Sequence, residues 1–312
     1  MRGTAPEAAR SWSSAIVEPD ALALTSTAET LQRPPRHPWA WAWLFAAAQI
    51  AGLVVGWRYG WQWGLPLILG TQALLFWATL WPQSRLLSPV LVRLPERERT
   101  VWLTIDDGPS HDSGAILDLL DRHQAKACFF VVGDRAEAQS ERVREMLLRG
   151  HEIGNHSYSH PEKWFWALPP RAMREQIERA QAVLTAITGR PPRWFRAVVG
   201  MANPFVAAAL KPLGLTRVAW CARGFDAREA DPARIVARIT RGLRPGAIVL
   251  LHEGAPHGRS VAIVEAVLAH LAAQGYRCVL PARCVDVAES GIYADESSRG
   301  DSTAKAQTAG SA

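Results

Sequence analysis

The chain has 312 residues, 48% of them hydrophobic, and a formal net charge of +6, enough for one sizeable domain with extra segments. The pI is near 9.5, but the arginines are scattered and no basic run interleaves with aromatics, so nucleic acid is excluded as the partner and membrane adjacency fits better. Of the four cysteines, Cys128 and Cys278 lie in apolar runs and read as buried thiols. Cys278 and Cys284 could pair, but with Cys221 unpaired and no Cys-x-x-Cys present, free thiols in a reducing compartment are expected.

Residues 1–38 are rich in Ala, Ser, Thr and Pro and lack the apolar segment of a secretory signal, so a disordered tail is expected. Trp39 to Trp57 and Trp61 to Trp81 are each about one bilayer thickness of uncharged residues, joined by Arg58-Tyr59-Gly60. Tryptophans cluster at the ends of both, as in aromatic belts. Two buried helices would need a surrounding core, and nothing else in the chain is long enough to provide one, so 39–82 is predicted to be a transmembrane hairpin. Arg33 and Arg36 precede it and Arg85, Arg93, Arg97 and Arg99 follow it, against Arg58 alone in the connection. The positive-inside rule then places both flanks in the cytoplasm, at a bacterial-type inner membrane. Pro66 and Gln72 weaken the second span, and a single span would reverse the side. Residues 83–99 are expected to be a juxtamembrane linker lying on the bilayer surface, with Leu86, Leu87, Val90, Leu91, Val92 and Leu94 among prolines and arginines.

From Thr100 strand-like and helix-like segments alternate. Strands are predicted at Val101–Ile105, Ala127–Val132, His151–Gly154, Arg193–Arg196, Thr216–Trp220, Ala247–Leu251 and Arg277–Leu280. Helices are predicted at Ala115–Arg122, Glu141–Arg149, Pro170–Thr188, Asn203–Lys211, Pro232–Arg241 and Val261–Ala273. Gly150, Gly189, Gly242 and Gly275 act as helix stops. The alternation argues for an α/β parallel sheet or barrel over 100–288, with chemistry at the carboxyl ends of the strands. Residues 289–312 are polar and expected to be a disordered tail.

Two acids, Asp106 and Asp107, end the first strand and enter the Gly108-Pro109 turn. An Asx-type turn with two chance acids would read the same, but carboxylates crowded together call for a cation. His156 and His160 follow another strand, four residues apart, and would share a face in a helical turn. Asp107, His156 and His160 make three N/O ligands with open positions left over, the pattern of a catalytic metal site.

Asp106-Asp107-Gly108-Pro109 with His156-x-x-x-His160 resembles the first two motifs of NodB-type polysaccharide deacetylases, carbohydrate esterase family 4. Arg196-Ala197-Val198-Val199-Gly200 stands where that family has Arg-x-Pro-x-Gly, with Val198 in place of the proline. Gly224-Phe225-Asp226 falls at the loosely matching fourth motif, and Leu250-Leu251-His252 matches Leu-x-His. The resemblance spans roughly Thr100 to Asp286 and implies an irregular (β/α)7 barrel.

Residue chemistry suggests Asp106 as general base, taking a proton from water beside the ion, and His252 as general acid protonating the leaving amine. The resemblance implies the same, and adds Arg196 orienting the base, Asp226 tuning the histidine and Leu250 lining a pocket for the acyl methyl. The aromatic loop at Trp164 and Trp166 could stack on sugar rings or an isoprenoid chain, or simply pack. His151 and His257 read as structural or exposed.

The expected activity is removal of an acetyl, or a formyl, from an N-acylated sugar with a divalent ion. Zn2+ is the first choice, with Co2+, Mn2+ or Ni2+ as alternatives. A cytoplasmic, membrane-bound domain would suit a polyprenyl-linked sugar or glycolipid; a periplasmic one would suit peptidoglycan or exopolysaccharide. O-ester hydrolysis is open to the same attack. A catalytically silent carbohydrate-binding membrane protein is the reading from a different class, against which the intact acid, ligand and His252 set speaks.

Overall fold

The computed structural model describes residue 31, residues 33–95 and residues 98–281. Most of the expected N-terminal tail, all of the C-terminal tail, Arg97 and Cys284 lie outside these residues.

Val101 to Ile105 is apolar except for Thr104, the pattern of a strand buried on both faces. It forms β1 (Thr100–Gly108) at the centre of an all-parallel sheet. Val101, Leu103 and Ile105 pack on the helices, while Trp102 faces the opposite, inner cluster. By the same pleat Thr104 and Asp106 point inward. The strand order is β5 (Thr216–Arg217), β4 (Trp194–Phe195), β3 (Glu152–Asn155), β2 (Ala127–Val131), β1, β7 (Ala247–His252) and β6 (Ala222–Arg223). A short β8 (Arg277–Cys278) pairs with the start of β1. This is the expected irregular seven-stranded (β/α) barrel with one extra short strand, and it is left open between β5 and β6.

The helices α3 (Ser113–Arg122), α4 (Gly133–Ala138), α5 (Ser140–Leu148), α6 (Pro170–Thr188), α7 (Val206–Leu210), α8 (Pro232–Gly242) and α9 (Ser260–Ala273) fall between the strands. Helix α6 starts with proline at its first turn and stops at Gly189, whose φ of 74° needs no Cβ. Asp231 caps α8 by accepting from Ala233 N at 2.9 Å. Helix α4 and strand β6 are absent from the sequence reading, being too short to show a period. The helix expected from Asn203 begins only at Val206, because Asn203 Oδ1 accepts from Phe205 N at 3.0 Å and holds a turn there instead.

The opening between β5 and β6 corrects the expectation for residues 83–99. Leu91 N donates to Arg217 O (2.9 Å), Ala219 N donates to Leu91 O (2.8 Å) and Leu94 N donates to Gly246 O (2.8 Å). Leu91 thus bridges Val218 in parallel and Arg93 bridges Ala247 in antiparallel fashion. Leu87, Val90, Leu91 and Leu94 are all at most 7% exposed. The last three pack with Trp102, Phe130, Trp194 and Ile248 inside the barrel. The segment is a strap in the barrel wall, and these apolar side chains pack into the barrel instead of facing outward. An apolar spacing that suits an interfacial segment suits a barrel plug equally, and the open strand edge supplies unpaired backbone groups that draw it in. It also explains why the strand expected to reach Trp220 ends its ladder at Arg217. Buried Arg217 clamps the strap by donating from Nη2 to Ser84 O and Ser88 O, and burial pulls its guanidinium down to about 10.

Ahead of the strap, α1 (Ala40–Tyr59) and α2 (Trp61–Leu80) form a hairpin. A Cβ on Gly64 would lie 2.5 Å from Gly52 O, so the helices touch through glycine, and Gln49 Nε2 donates to Thr71 Oγ1 at 2.7 Å between them. Both helices are long and apolar enough to cross a membrane. Their outer faces are bare: Trp43 is 78% and Trp57 83% exposed, unlike helices of a soluble core. The base of the hairpin rests on barrel loops. Phe76 meets Trp166 edge-on at 5.9 Å, Ala202 N donates to Thr79 O (3.1 Å) and Gln83 Nε2 donates to Trp220 O (2.8 Å).

Candidate active site

Two adjacent strand residues ordinarily point to opposite faces. Here the β1–β2 register slips between Asp106 and Gly108, and Asp107 takes φ 71°. This bulge releases Asp107 from the alternation and lets both carboxylates reach one mouth. Gly108 leaves room next to it for Glu253, since a Cβ there would sit 2.0 Å from Glu253 Oε1.

The histidine pair is not on a helical turn as the sequence suggested. His156 to His160 is a loop after β3, with Ser157 and His160 at left-handed φ of 67° and 49°. Asn155 builds it: its Oδ1 accepts from Ser157 N (3.0 Å), and its Nδ2 donates to Gln181 Oε1 (2.9 Å) and Ile177 O (3.0 Å). Gln176 Oε1 accepts from Ser159 N at 2.9 Å. The imidazoles end 4.9 Å apart.

Asp107 Oδ1 lies 3.3 Å from His156 Nε2 and 3.0 Å from His160 Nε2, and one ligand atom from each residue falls within 4.8 Å of the others. His156 Nδ1 is 2.9 Å from Arg196 O, a pure acceptor, so that nitrogen carries the proton and a neutral ring presents a bare lone pair at Nε2. Lone pairs facing a buried carboxylate oxygen that has no hydrogen-bond partner call for a cation among them, so these residues fit a divalent ion and form a possible metal site.

Asp106 on β1 is directly opposite His252 on β7. Its Oδ1 accepts from Arg196 Nη1 at 2.7 Å, and Oδ2 is 3.8 Å from His156 Nε2. Arg196 is wholly buried: Nη1 also donates to Thr104 Oγ1 (2.8 Å), Nη2 donates to Ala219 O (3.2 Å), and the guanidinium lies over Phe130 at 4.1 Å. Asp226 Oδ2 accepts from His252 N (2.6 Å), and Oδ1 is 3.1 Å from His252 Nδ1. Burial acts to lower the His252 imidazole, but Asp226 foremost, with Asp106 and Asp107, raises it to about 9.

Leu250 is buried inside the barrel, one inward position below His252. The aromatic loop divides. Trp164 stays 66% exposed, Phe165 is core, and Trp166, expected beside Trp164 as a stacking face, turns to Phe76 and donates from Nε1 to Lys163 O (3.1 Å). It packs because the hairpin covers it. His257 contacts the backbone oxygen of Asp226 at 2.6 Å, and buried His151 Nδ1 accepts from Ala127 N at 3.2 Å. Sequence reasoning missed Thr104, Asn155 and Gln176. Thr104 shares its strand face with Asp106 at a spacing of two, which would have marked it. Asn155 directly precedes His156, a weaker signal, and Gln176 had none.

The Polysaccharide deacetylase family model matches residues 93–218. The chain is 36% identical over 169 residues to the chitooligosaccharide deacetylase of Bradyrhizobium sp. strain ANU 289, covering 54% of this chain and 77% of that protein. Its fold is similar to that of peptidoglycan deacetylase PdaC from Bacillus subtilis (TM-score 0.54, 28% identity, 62% of this chain, 94% of that chain). It is also similar to BA3943, a CE4 family pseudoenzyme from Bacillus anthracis (TM-score 0.55, 26% identity, 61% and 66%), so the fold alone does not decide activity. With the curated relative matched over most of its length, the chain belongs to the polysaccharide deacetylase family of NodB type, carbohydrate esterase family 4, whose members are generally metal-dependent hydrolases of carbon–nitrogen amide bonds.

Proposed function

We propose that the chain removes the acetyl group from an N-acetylglucosamine-type sugar carried on a membrane lipid, with Asp107, His156 and His160 holding a divalent ion, Zn2+ in the first place. The observation that carries this reading is the pairing of opposite proton functions, Asp106 and His252, on adjacent strands beside three converging ligand atoms. The ion, when bound, supplies a Lewis acid for the amide carbonyl and makes a neighbouring water more acidic. Asp106, with Oδ1 held by Arg196, keeps Oδ2 to accept that water's proton as general base. His252, with Nδ1 engaged by Asp226, keeps Nε2 to protonate the departing amine. Leu250 bounds the acyl methyl and Trp164 offers an exposed ring to the sugar. The names of the relatives, chitooligosaccharide and peptidoglycan deacetylase, support an N-acetylated amino sugar. A formyl group would fit the same chemistry.

The lipid carrier is supported by the hairpin, which rests on loops following the motif strands. Arginines on both flanks favour a cytoplasmic domain at the inner membrane. The test uses full-length protein in detergent. Acetate release is measured from a polyprenyl-linked N-acetyl sugar and from chito-oligosaccharides, with Asp106→Asn as control. Preference for the linked sugar is expected; preference for free oligomers would overturn the lipid reading, and acetate from neither would overturn the activity.

A further inference from the structure

We infer that the cleft between the start of α1 and the α6–α7 side of the barrel binds the phosphate group of a membrane lipid. The cleft holds about 730 Å³ and is lined by Arg36, His37, Trp39, Trp43, Arg174 and Lys211, with small and proline residues between them. That volume is within the range of small-ligand sites. Its cations come from three separate parts of the chain, the segment before α1, the first turns of α6 and the end of α7, and folding brings them to one place. No carboxylate is among the lining residues. Arg174 Nε lies 4.0 Å from Glu178 Oε1, an exposed pair at the outer limit of an ion pair.

Lys211 Nζ donates to Arg36 O at 3.0 Å, which ties the approach segment to the barrel and leaves the ammonium two further donors. Helix α1 has no acid in its first turn and no side-chain cap, so its positive end adds to the same potential. Like charges gathered without acids create a positive potential that favours an anion in the space between them. The anion's source follows from depth. Trp39 and Trp43 belong to the cleft and also open the helix whose bare apolar face continues through Leu44. Tryptophans of this kind sit at the headgroup level of a bilayer, where lipid phosphates lie. The inference rests on the hairpin being membrane-spanning and is independent of the deacetylase reading.

The test is native mass spectrometry of full-length protein in a neutral detergent. Retention is compared for phosphatidylglycerol, undecaprenyl diphosphate, phosphatidylcholine and inorganic phosphate. Variants are Arg36→Gln/Arg174→Gln/Lys211→Gln, its Arg36→Lys/Arg174→Lys counterpart with Lys211 intact, and His160→Ala. A cation near an anionic headgroup is worth about fivefold in binding. Wild type should therefore retain the two anionic lipids over phosphatidylcholine, and the triple glutamine variant should lose about a hundredfold. The lysine variant should keep most of it, which excludes misfolding as the cause. His160→Ala should retain lipid fully, separating this site from the catalytic one. Preference for undecaprenyl diphosphate over phosphatidylglycerol would identify the substrate's carrier as the lipid, and equal retention a bulk phospholipid. Equal retention of phosphatidylcholine, or a triple variant like wild type, would overturn the inference. So would competition by inorganic phosphate with no lipid retained, the mark of a free-anion site.

Discussion

The Asp226–His252 contact gives a pH signature that can be worked through. His252 is raised from an ordinary 6.5 to about 9, and Asp226 is the largest upward cause. That difference corresponds to about 3 kcal/mol favouring the protonated ring. Burial pulls the other way, and Asp226 is the foremost of the groups that outweigh it, ahead of Asp106 and Asp107; a cation on Asp107 would cancel its share while leaving that of Asp226 intact. Asp226→Asn keeps an acceptor for His252 N and removes the charge. His252 then falls back to 6.5 or below. A general acid works only while protonated, so the alkaline limb of kcat/KM should move down by about 2 pH units. The sign for stability agrees: the raised value stabilises the fold fully below about 6.5, and that contribution is lost as pH rises through about 9. Acetate release measured between pH 5.5 and 10 for both proteins tests this. An alkaline limb left in place by Asp226→Asn would refute the role of His252 as acid, of Asp226 as its partner, or both. A titration of His252 followed by NMR would say which.

Other substitutions probe the remaining parts. His160→Ala should reduce bound divalent ion at least tenfold by elemental analysis and abolish acetate release, and chelator treatment of wild type should do the same reversibly. Arg196→Met strands the buried Asp106 carboxylate, and removing one partner of a buried pair costs about 3–5 kcal/mol; a melting temperature lowered by about 6–20 °C is expected, and an unchanged one would mean that Asp106 has other support. Gly108→Ala should lose activity with far smaller loss of fold, because its Cβ would strike Glu253 Oε1 beside the Asp107 bulge; full activity would show that Glu253 moves aside freely.

The candidate ligand set was legible because chemistry at strand ends is local: an acid pair before Gly-Pro and two histidines four apart are visible without knowing the fold. How the residues converge was not legible. The histidines meet through two left-handed residues and an asparagine brace rather than a helical face, since loop geometry carries no periodic signal. Asp106 and Asp107 share a mouth through a one-residue register slip that no spacing rule announces. The strands at Val101 and Ala247 were readable because both faces are buried and the apolar run is continuous. Arg196 in the third motif was found by resemblance, but its second bond, to Thr104, needed the pleat of β1 to be laid beside β4. The strap was misread for a related reason. A spacing of leucines and valines reports only that one side is apolar and is silent on what will cover it.

That strap makes the domain boundary unusual, and the consequence can be tested. Residues on both sides of the hairpin are built into the barrel. Leu31 is 5% exposed within the inner cluster and Arg33 N donates to Thr216 Oγ1 at 2.8 Å, ahead of α1; Leu87, Val90, Leu91 and Leu94 follow α2. Cutting the chain at Thr100, where the strands begin, removes four buried apolar side chains after the hairpin alone, each worth about 1.5–3 kcal/mol. Their sum, an upper bound of about 6–12 kcal/mol, matches the whole stability of a typical domain. It also exposes the open edges of β5 and β6, a template for aggregation. Excising only residues 39–81 and joining Pro38 to Pro82 by a flexible Gly-Ser linker keeps the contacts of the strap with the barrel. The excised protein should be soluble, melt cooperatively and release acetate from chito-oligosaccharides in solution, whereas the Thr100 truncation should aggregate. A truncation that folds and melts within a few degrees of the excised protein would refute the strap as part of the barrel. An excised protein that fails while the full chain folds would instead make the hairpin itself a part of the domain's core.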